Sequence, residues 1–315
     1  VTLMSKPVWI PEERALGIPT LEAFAGTWQT ERLPEWKRSH ARTVGEALDF
    51  WVLPSIGDRP LDAIARADLL AFRAWMHAHD RHPSAARINK VVGVLAALLR
   101  EGTQRYGCPD PTIGLKALQI VEPDIHPFSL AQMEAILGAL ELRWADYFSV
   151  RFLTGLRTGE ADGLMWTDVD LRGAMLSVNR AWVDGAWETP KTRAGRRDVV
   201  LVAPVVAALE RQHDRTGRGS LVFCSRNGTP LNRRNVTRRT WYPVLDALGL
   251  TRRRAYQTRH TYATLMLAAG ENVEFIRRQM GHSDARMLFT RYARFVPNLT
   301  RQDGTAFGAL VRGIA

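Results

Sequence analysis

Apolar residues return every three or four positions along almost the whole chain, and only one stretch, residues 174–201, alternates with period two. A backbone that must bury such stripes folds mainly into helices and leaves room for one small sheet. Leu21, Phe24, Ala25 and Trp28 form one stripe, and Leu69, Leu70, Phe72, Trp75 and Met76 a second. The longest expected helix runs from Ser84 to Tyr106, burying Ile88, Val91, Val92, Leu95, Leu98 and Leu99. Turn residues punctuate this half at Pro54, at Gly57 through Pro60, at Asp80 through Pro83 and at Gly107 through Pro111.

Past residue 128 the signals change. Ser129 reads as a helix N-cap, with Gln132 completing a capping box for a helix through Leu140, and Asp146 to Thr154 continues as buried helix. Met175, Ser177, Asn179 and Ala181 alternate up to a turn at Asp184-Gly185. With Val199-Val200-Leu201 they predict a single sheet of two or three strands. Helices resume at Val202 and run to Phe295, interrupted by one short strand expected at Leu221-Val222-Phe223. The apolar run from Val91 to Leu99 falls well short of the roughly 20 residues of a membrane-spanning helix, so a soluble protein with no membrane partner is expected.

At 315 residues the chain suits two domains. The expected divisions are an N-terminal extension (1–19), a helical domain (20–120), a linker around Val121-Glu122-Pro123 (121–128), a second domain (129–295) and a tail (296–315). Net charge is +11, and all of it lies in the second half: residues 1–125 carry 15 Lys+Arg against 15 Asp+Glu, residues 126–315 carry 28 against 17. A basic second half points to a polyanion as partner, with the bare solvated surface as the alternative. The two cysteines, Cys108 and Cys224, offer no disulfide framework or zinc cluster, which predicts a reducing, cytoplasmic setting.

The chemistry concentrates in four places. Arg157 lies in the turn Thr154-Gly155-Leu156-Arg157-Thr158-Gly159-Glu160, where Glu160 is placed to pair with it or hold the turn, and Ala161 to Trp166 reads as the start of the next helix. Tyr256, Arg259 and His260, at i, i+3 and i+4, share a helix face. His260 reads as a structural histidine bonded to a main-chain group, with a catalytic role as the alternative. Lys191, at the tip of the expected hairpin, is the one lysine after residue 125. A lysine among cations can release a proton near neutral pH and an arginine cannot, so Lys191 is a candidate general acid, against the alternative of a phosphate-binding surface lysine. His282, in Gly281-His282-Ser283, suits a helix N-terminus facing an anion, and Tyr292 follows between Arg291 and Arg294, cations that would favour loss of its phenolic proton. Permanent cations, a histidine and a phenol are what attack of a tyrosine oxygen on a phosphodiester calls for, without a metal.

These segments, in this order, resemble the tyrosine recombinase or phage integrase family. The match covers about residues 126–295, and the first half resembles the family's core-binding domain. The fold implied is mainly α with a small antiparallel β-sheet: a helical, SAM-like core-binding domain plus a mixed α/β catalytic domain. The resemblance implies that Arg157 and Arg259 clamp the scissile phosphate, His282 assists, Lys191 protonates the leaving 5′ oxygen and Tyr292 forms a 3′-phosphotyrosyl link. A 5′-hydroxyl then reseals the strand without ATP, metal or cofactor. The implied partners are double-stranded DNA and three further copies in a homo-tetramer on paired sites, with room for an accessory factor that sets direction. The implied setting is a mobile element, bacterial or phage-encoded, working at the nucleoid.

Two departures stand out. The family often has histidine where this chain has Tyr256, and a phenol donates a hydrogen bond but does not shuttle a proton at neutral pH. About 19 residues precede the first expected helix and the first is Val1, which leaves open a shortened chain, an alternative start codon or a recombinase without arm-site binding. DNA contacts are expected from Arg252, Arg253 and Arg254, and from Arg233 and Arg234 in the arginine-rich helix Asn232–Trp241. In the tail, Phe307, Leu310, Val311 and Ile314 follow helical spacing and predict docking onto a neighbouring subunit or onto the chain itself. Two other readings stay in view: a catalytically idle DNA-binding protein of the same fold, and a metal-dependent nuclease or transposase using Asp168 and Asp170, whose spacing looks more like a polar edge before a strand.

Overall fold

A computed structural model describes residues 17–120, 124–189 and 193–296, and the chain divides after Pro123 into two compact units. In the first, Thr20 caps α1 (Leu21–Arg32) by accepting from the Ala23 amide, and Leu21, Phe24, Ala25 and Trp28 are buried as their spacing requires. Helix α2 (Arg38–Ala47) does not stop before Pro54 as expected. It widens into a π turn over Leu48–Val52 and continues as α3 (Leu53–Ile56). The Leu53 amide reaches back five residues to the Leu48 carbonyl, and this wide turn makes room for the proline ring, so the break falls at Gly57 instead.

Helix α4 (Arg66–Ala78) buries Leu69, Phe72 and Met76 but leaves Trp75 42% exposed, at the edge of the expected stripe. Helix α5 (Ala85–Tyr106) is capped by Ser84, buries its six expected apolar positions and ends on Gly107 in the left-handed conformation. These faces meet in one core with Leu48, Trp51 and Ile56.

The second unit opens with Ile125 and Phe128, expected in the linker but buried in its cores. Ser129 and Gln132 form the expected capping box at α6 (Leu130–Ala139), followed by α7 (Leu142–Thr154) and the short α8 (Thr158–Asp162). The alternating stretch makes two sheets instead of one. Strands β1 (Val169–Asp170), β2 (Met175–Val178) and β5 (Arg197–Val200) form an antiparallel sheet in which Leu176 pairs with Val199. Strands β3 (Ala181–Val183) and β4 (Ala186–Glu188) form a separate hairpin. Its turn is the predicted one, with Asp184 and Gly185 both at positive φ.

Helix α9 (Ala203–Thr216) then packs along α7. Leu221-Val222-Phe223 is not a strand. It makes a single bridge, Leu221 to Met165, because side chains of α9 take the carbonyl a ladder would use: Gln212 and Thr216 both donate to the Val222 oxygen, at 2.7 and 2.8 Å. The arginine-rich segment runs as α10 (Arg233–Val236), a π turn over Thr237–Trp241, and α11 (Tyr242–Ala247), with Trp241 stacked on Phe148 at 4.6 Å. Helices α12 (Gln257–Ala268), α13 (Val273–Met280) and α14 (Arg286–Tyr292) close the unit around a smaller core of Tyr262, Leu267, Ile276, Leu288 and Tyr292. Among the described residues no helix is long and apolar enough to cross a membrane. Lys191 and the apolar tail positions Phe307, Leu310, Val311 and Ile314 lie outside the described residues.

Candidate active site

Gly155 ends α7 at φ +64°, and a Cβ there would stand 2.4 Å from the Tyr262 ring. The turn is therefore reserved for glycine, and it swings Arg157 into extended backbone as the N-cap of α8. The helix begins at Thr158 and Gly163 ends it, so Ala161 and Asp162 close that element rather than start one, and Trp166 opens a separate 3-10 turn, Trp166–Asp168. Gly159 and Gly163 have no side chain because the β3 backbone lies against them: added Cβ atoms would meet the Trp182 oxygen at 2.8 Å and its nitrogen at 2.7 Å.

Glu160 does both things expected of it. One oxygen accepts from the Arg157 amide at 2.9 Å, and the other from the Arg157 guanidinium at 2.7 Å. It also holds a residue that sequence reasoning missed, Arg197, whose two terminal nitrogens reach Glu160 at 3.2 and 2.9 Å. Both side chains of this second pair are 5% exposed. Burial alone would raise the Glu160 pKa, but the hydrogen bond and charge of Arg197, with Arg157 and Arg259 nearby, hold it below the usual range. Arg197 donates further to the Gln279 carbonyl at 2.6 Å.

Arg259 projects from α12 into the same place and is 1% exposed. Its guanidinium donates to the carbonyls of Gly155 and Met280, while Arg157 donates to that of Gly281 at 3.1 Å. Two arginines from distant parts of the chain are thus tied to one turn, Met280-Gly281. Burial, reinforced by Arg157, lowers the Arg259 pKa to about 10, so it remains a cation at neutral pH.

That turn carries His282. It lies at the C-terminal end of α13, not at a helix N-terminus: Gly281 is the left-handed cap and the His282 amide returns to the Arg277 carbonyl. The imidazole is buried with Nδ1 unpartnered among the described residues. Burial first, then the charges of Arg259, Arg157 and Arg197, push its pKa down to about 3, so the ring is neutral.

Tyr292, the last residue of α14, is 2% exposed, and its hydroxyl lies 2.9 Å from His260 Nδ1. His260 is therefore bonded to a side chain and not to the main-chain group expected of a structural histidine. Burial, then Arg291 and Arg259, lower its pKa to about 4. The expected acidification of Tyr292 does not appear: burial raises the phenol to about 12, outweighing Arg259 and the flanking Arg291, while Arg294 is paired with Asp124. Tyr256 sits at the start of α12, 43% exposed, its ring edge-on to His260 at 5.1 Å.

The expected DNA-contacting arginines divide. Arg253 lies over the Phe128 ring at 4.4 Å and donates to the Pro127 carbonyl, which makes it a strut of the fold. Arg252 pairs with Asp246 at 2.7 Å on the surface. Arg233 and Arg254, with Arg151, Thr158 and Tyr256, line a cavity of about 340 Å³, and Arg234 is exposed beside it in sequence. Asp168 is held by Asn179 at 3.0 Å and Arg180 at 2.8 Å. Among the described residues no group of three or more His, Cys, Asp or Glu side chains is placed to hold a metal ion.

The helical scaffold with its small antiparallel sheets and the family match together place the chain among the integrase-type tyrosine recombinases, DNA strand transferases. The chain belongs to the phage integrase family: residues 128–298, more than half its length, match that family's model, and residues 21–100 match the phage integrase central domain. It is 28% identical over 279 residues to prophage integrase IntR of Escherichia coli strain K12, a match spanning 76% of this chain and 67% of that relative. Its fold is similar to the Tn1549 transposon integrase in complex with a circular intermediate DNA, with a TM-score of 0.77 at 18% identity over 94% of this chain and 99% of that one. It is also similar to a lambda integrase tetramer bound to a Holliday junction, with a TM-score of 0.69 at 16% identity over 91% and 80%.

Proposed function

We propose that this chain cuts and reseals duplex DNA at a specific site through a 3′-phosphotyrosyl link to Tyr292, as a tetramer holding two sites. The observation that carries this is the convergence on one turn: Arg157 and Arg259 are fastened to the carbonyls of Gly281 and Met280, the next residue is His282, and the neighbour of Arg259 holds the Tyr292 hydroxyl. A phosphodiester oxygen placed there meets two fixed cations whose orientation is set before DNA arrives, which is how a developing negative charge is stabilised without reorganisation. Arg157, which is 39% exposed, is open to an incoming phosphate, and Arg259 supplies charge from below. His282, neutral with a free ring nitrogen, completes the clamp. Lys191 is the proposed donor of the proton that the departing 5′ oxygen needs. The energy of the broken bond stays in the tyrosyl ester, so a 5′-hydroxyl from a partner duplex reseals the strand without ATP.

The DNA in the Tn1549 complex and the four subunits on the lambda junction support the substrate and the assembly. A bacterial or phage-encoded protein acting at the nucleoid fits this reading, with direction left to an accessory factor. The test is a nicked suicide duplex carrying the native site, in EDTA. The wild-type chain is expected to form a covalent adduct and Tyr292→Phe none. No adduct from the wild type despite tight binding would favour the idle, architectural reading.

A further inference from the structure

We propose that His260 is the general base of the reaction, its Nδ1 taking the phenolic proton as Tyr292 attacks phosphorus. The proposal rests on the recombinase reading above and assigns the one proton transfer which that reading leaves without a partner. Among the described residues His260 is the sole hydrogen-bond partner of the Tyr292 hydroxyl, at 2.9 Å, with the rings 5.6 Å apart and both side chains buried. His282 does not stand in this position: among the described residues its Nδ1 is unpartnered, and the Tyr292 hydroxyl bonds to His260 instead. Tyr256, one helical turn before His260 and edge-on to it, is a phenol and has no basic nitrogen.

The ring is held for this role by its neighbours. His260 is on α12 beside Arg259, which is fixed to the Gly155 and Met280 carbonyls, and α12 packs against α14, which carries Tyr292 and Arg291. The groups facing it are Arg259 and Tyr256 on its own helix, Tyr292 and Arg291 on α14, and His282 on the turn after α13. Burial and these cations keep the imidazole neutral, so one ring nitrogen is an acceptor at physiological pH. A phenol near 12 and an imidazole near 4 do not exchange a proton at rest. They do as the reaction proceeds: the phenolic oxygen becomes an aryl phosphate oxygen and loses its basicity, while the bound phosphate's negative charge offsets Arg259 and Arg291 and makes the imidazole more basic.

The step balances. The Tyr292 oxygen bonds to phosphorus, the bond from phosphorus to the 5′ oxygen breaks, the phenolic proton moves to His260 Nδ1, and the departing 5′ oxygen takes a proton from a separate donor. On resealing, a 5′-hydroxyl attacks phosphorus and gives its proton back to that separate donor, the bond from phosphorus to the tyrosine oxygen breaks, and His260 returns its proton to the phenolic oxygen.

The experiment measures single-turnover adduct formation on the suicide duplex across neutral and alkaline pH for wild type and His260→Ala, with and without added imidazole. His260→Ala is expected to bind DNA normally and to cleave at least about 100-fold more slowly at neutral pH. The deficit should shrink as pH rises towards the phenol's own ionisation, and imidazole should restore part of the rate. A neutral-pH rate close to wild type would overturn the proposal, and so would an equal loss at every pH with no rescue by imidazole. Should His260→Ala fail to fold, nitrogen NMR of His260 in the wild-type chain decides: an unprotonated Nδ1 beside a protonated Nε2 supports the proposal, and a protonated Nδ1 overturns it. A wild-type chain that forms no adduct overturns the recombinase reading and this proposal together, whereas cleavage by wild type and His260→Ala alike overturns this proposal alone.

Discussion

At Glu160 one buried carboxylate answers two guanidinium groups, Arg157 at 2.7 Å and Arg197 at 2.9 Å. Breaking a buried pair by neutralising one side leaves the other charge uncompensated, at a cost of about 3–5 kcal/mol. Glu160→Gln is expected to lose stability on that scale in a denaturant titration and to cleave more slowly, because Arg157 loses the anchor that orients it. The two buried histidines set a pH limit. His260 and His282 have folded-state pKa values of about 4 and about 3 against 6.5 for the free side chain. Lowered values mean that the unfolded chain takes up protons first as pH falls. Their contribution is fully present above about pH 6.5 and is lost as pH drops towards 4 and then 3. The melting temperature should therefore begin to fall below about pH 6.5, and more gently in a His260→Asn, His282→Asn double variant, whose side chains do not titrate.

Elements place these residues through their ends, and the glycines at those ends are not equivalent. Gly155 and Gly185 both have positive φ, 64° and 82°, but a Cβ at Gly155 would strike Tyr262 at 2.4 Å while one at Gly185 meets nothing within 4 Å. Gly185→Ala should cost only the conformational penalty of about 1–3 kcal/mol and keep cleavage. Gly155→Ala should cost more and abolish cleavage, since the Gly155 carbonyl is an anchor of Arg259. Unfolding midpoints and adduct formation check both. The same ends explain what the sequence made legible. Helix interiors were readable because burial stripes and Ser84 and Ser129 caps are local signals. Tyr292, Arg157 and Arg259 stood out through the residues beside them. His282's place after α13, instead of before α14, depends on where one glycine adopts the left-handed conformation, which spacing does not reveal. Pro54 looked like a stop because the widened turn before it has no sequence signature. Arg197 was hidden among many arginines, although a signal existed: it is in phase with buried Val199 on β5, and a cation on the buried face of a strand needs a carboxylate.

Over the whole molecule, charge and its local pairing together decide which surface is available to DNA. The +11 resides in residues 126–315, yet the described arginines there differ in how much of their charge is available to DNA. Arg253 is committed to the Pro127 carbonyl and the Phe128 face, and Arg252 shares its charge with Asp246, whereas Arg233 and Arg234 are exposed on α10 without an ion-pair partner among the described residues. Each phosphate neutralised by a protein cation releases condensed counterions, and the slope of log K against log salt steepens by about 0.9 per contact on duplex DNA. Arg233→Gln with Arg234→Gln should therefore make that slope shallower by about 1.8 while leaving the melting temperature nearly unchanged. Arg253→Gln should do the reverse: the slope stays, and stability falls because the side chain tying the loop before α12 to the Pro127 carbonyl and Gln132 is lost. Binding titrations at several salt concentrations, beside melting curves of the same variants, separate the two. An unchanged slope in the double variant would remove α10 from the DNA-binding surface and place the working charge of this half elsewhere, with Arg254 beside Tyr256 and Thr158 as the next group to test.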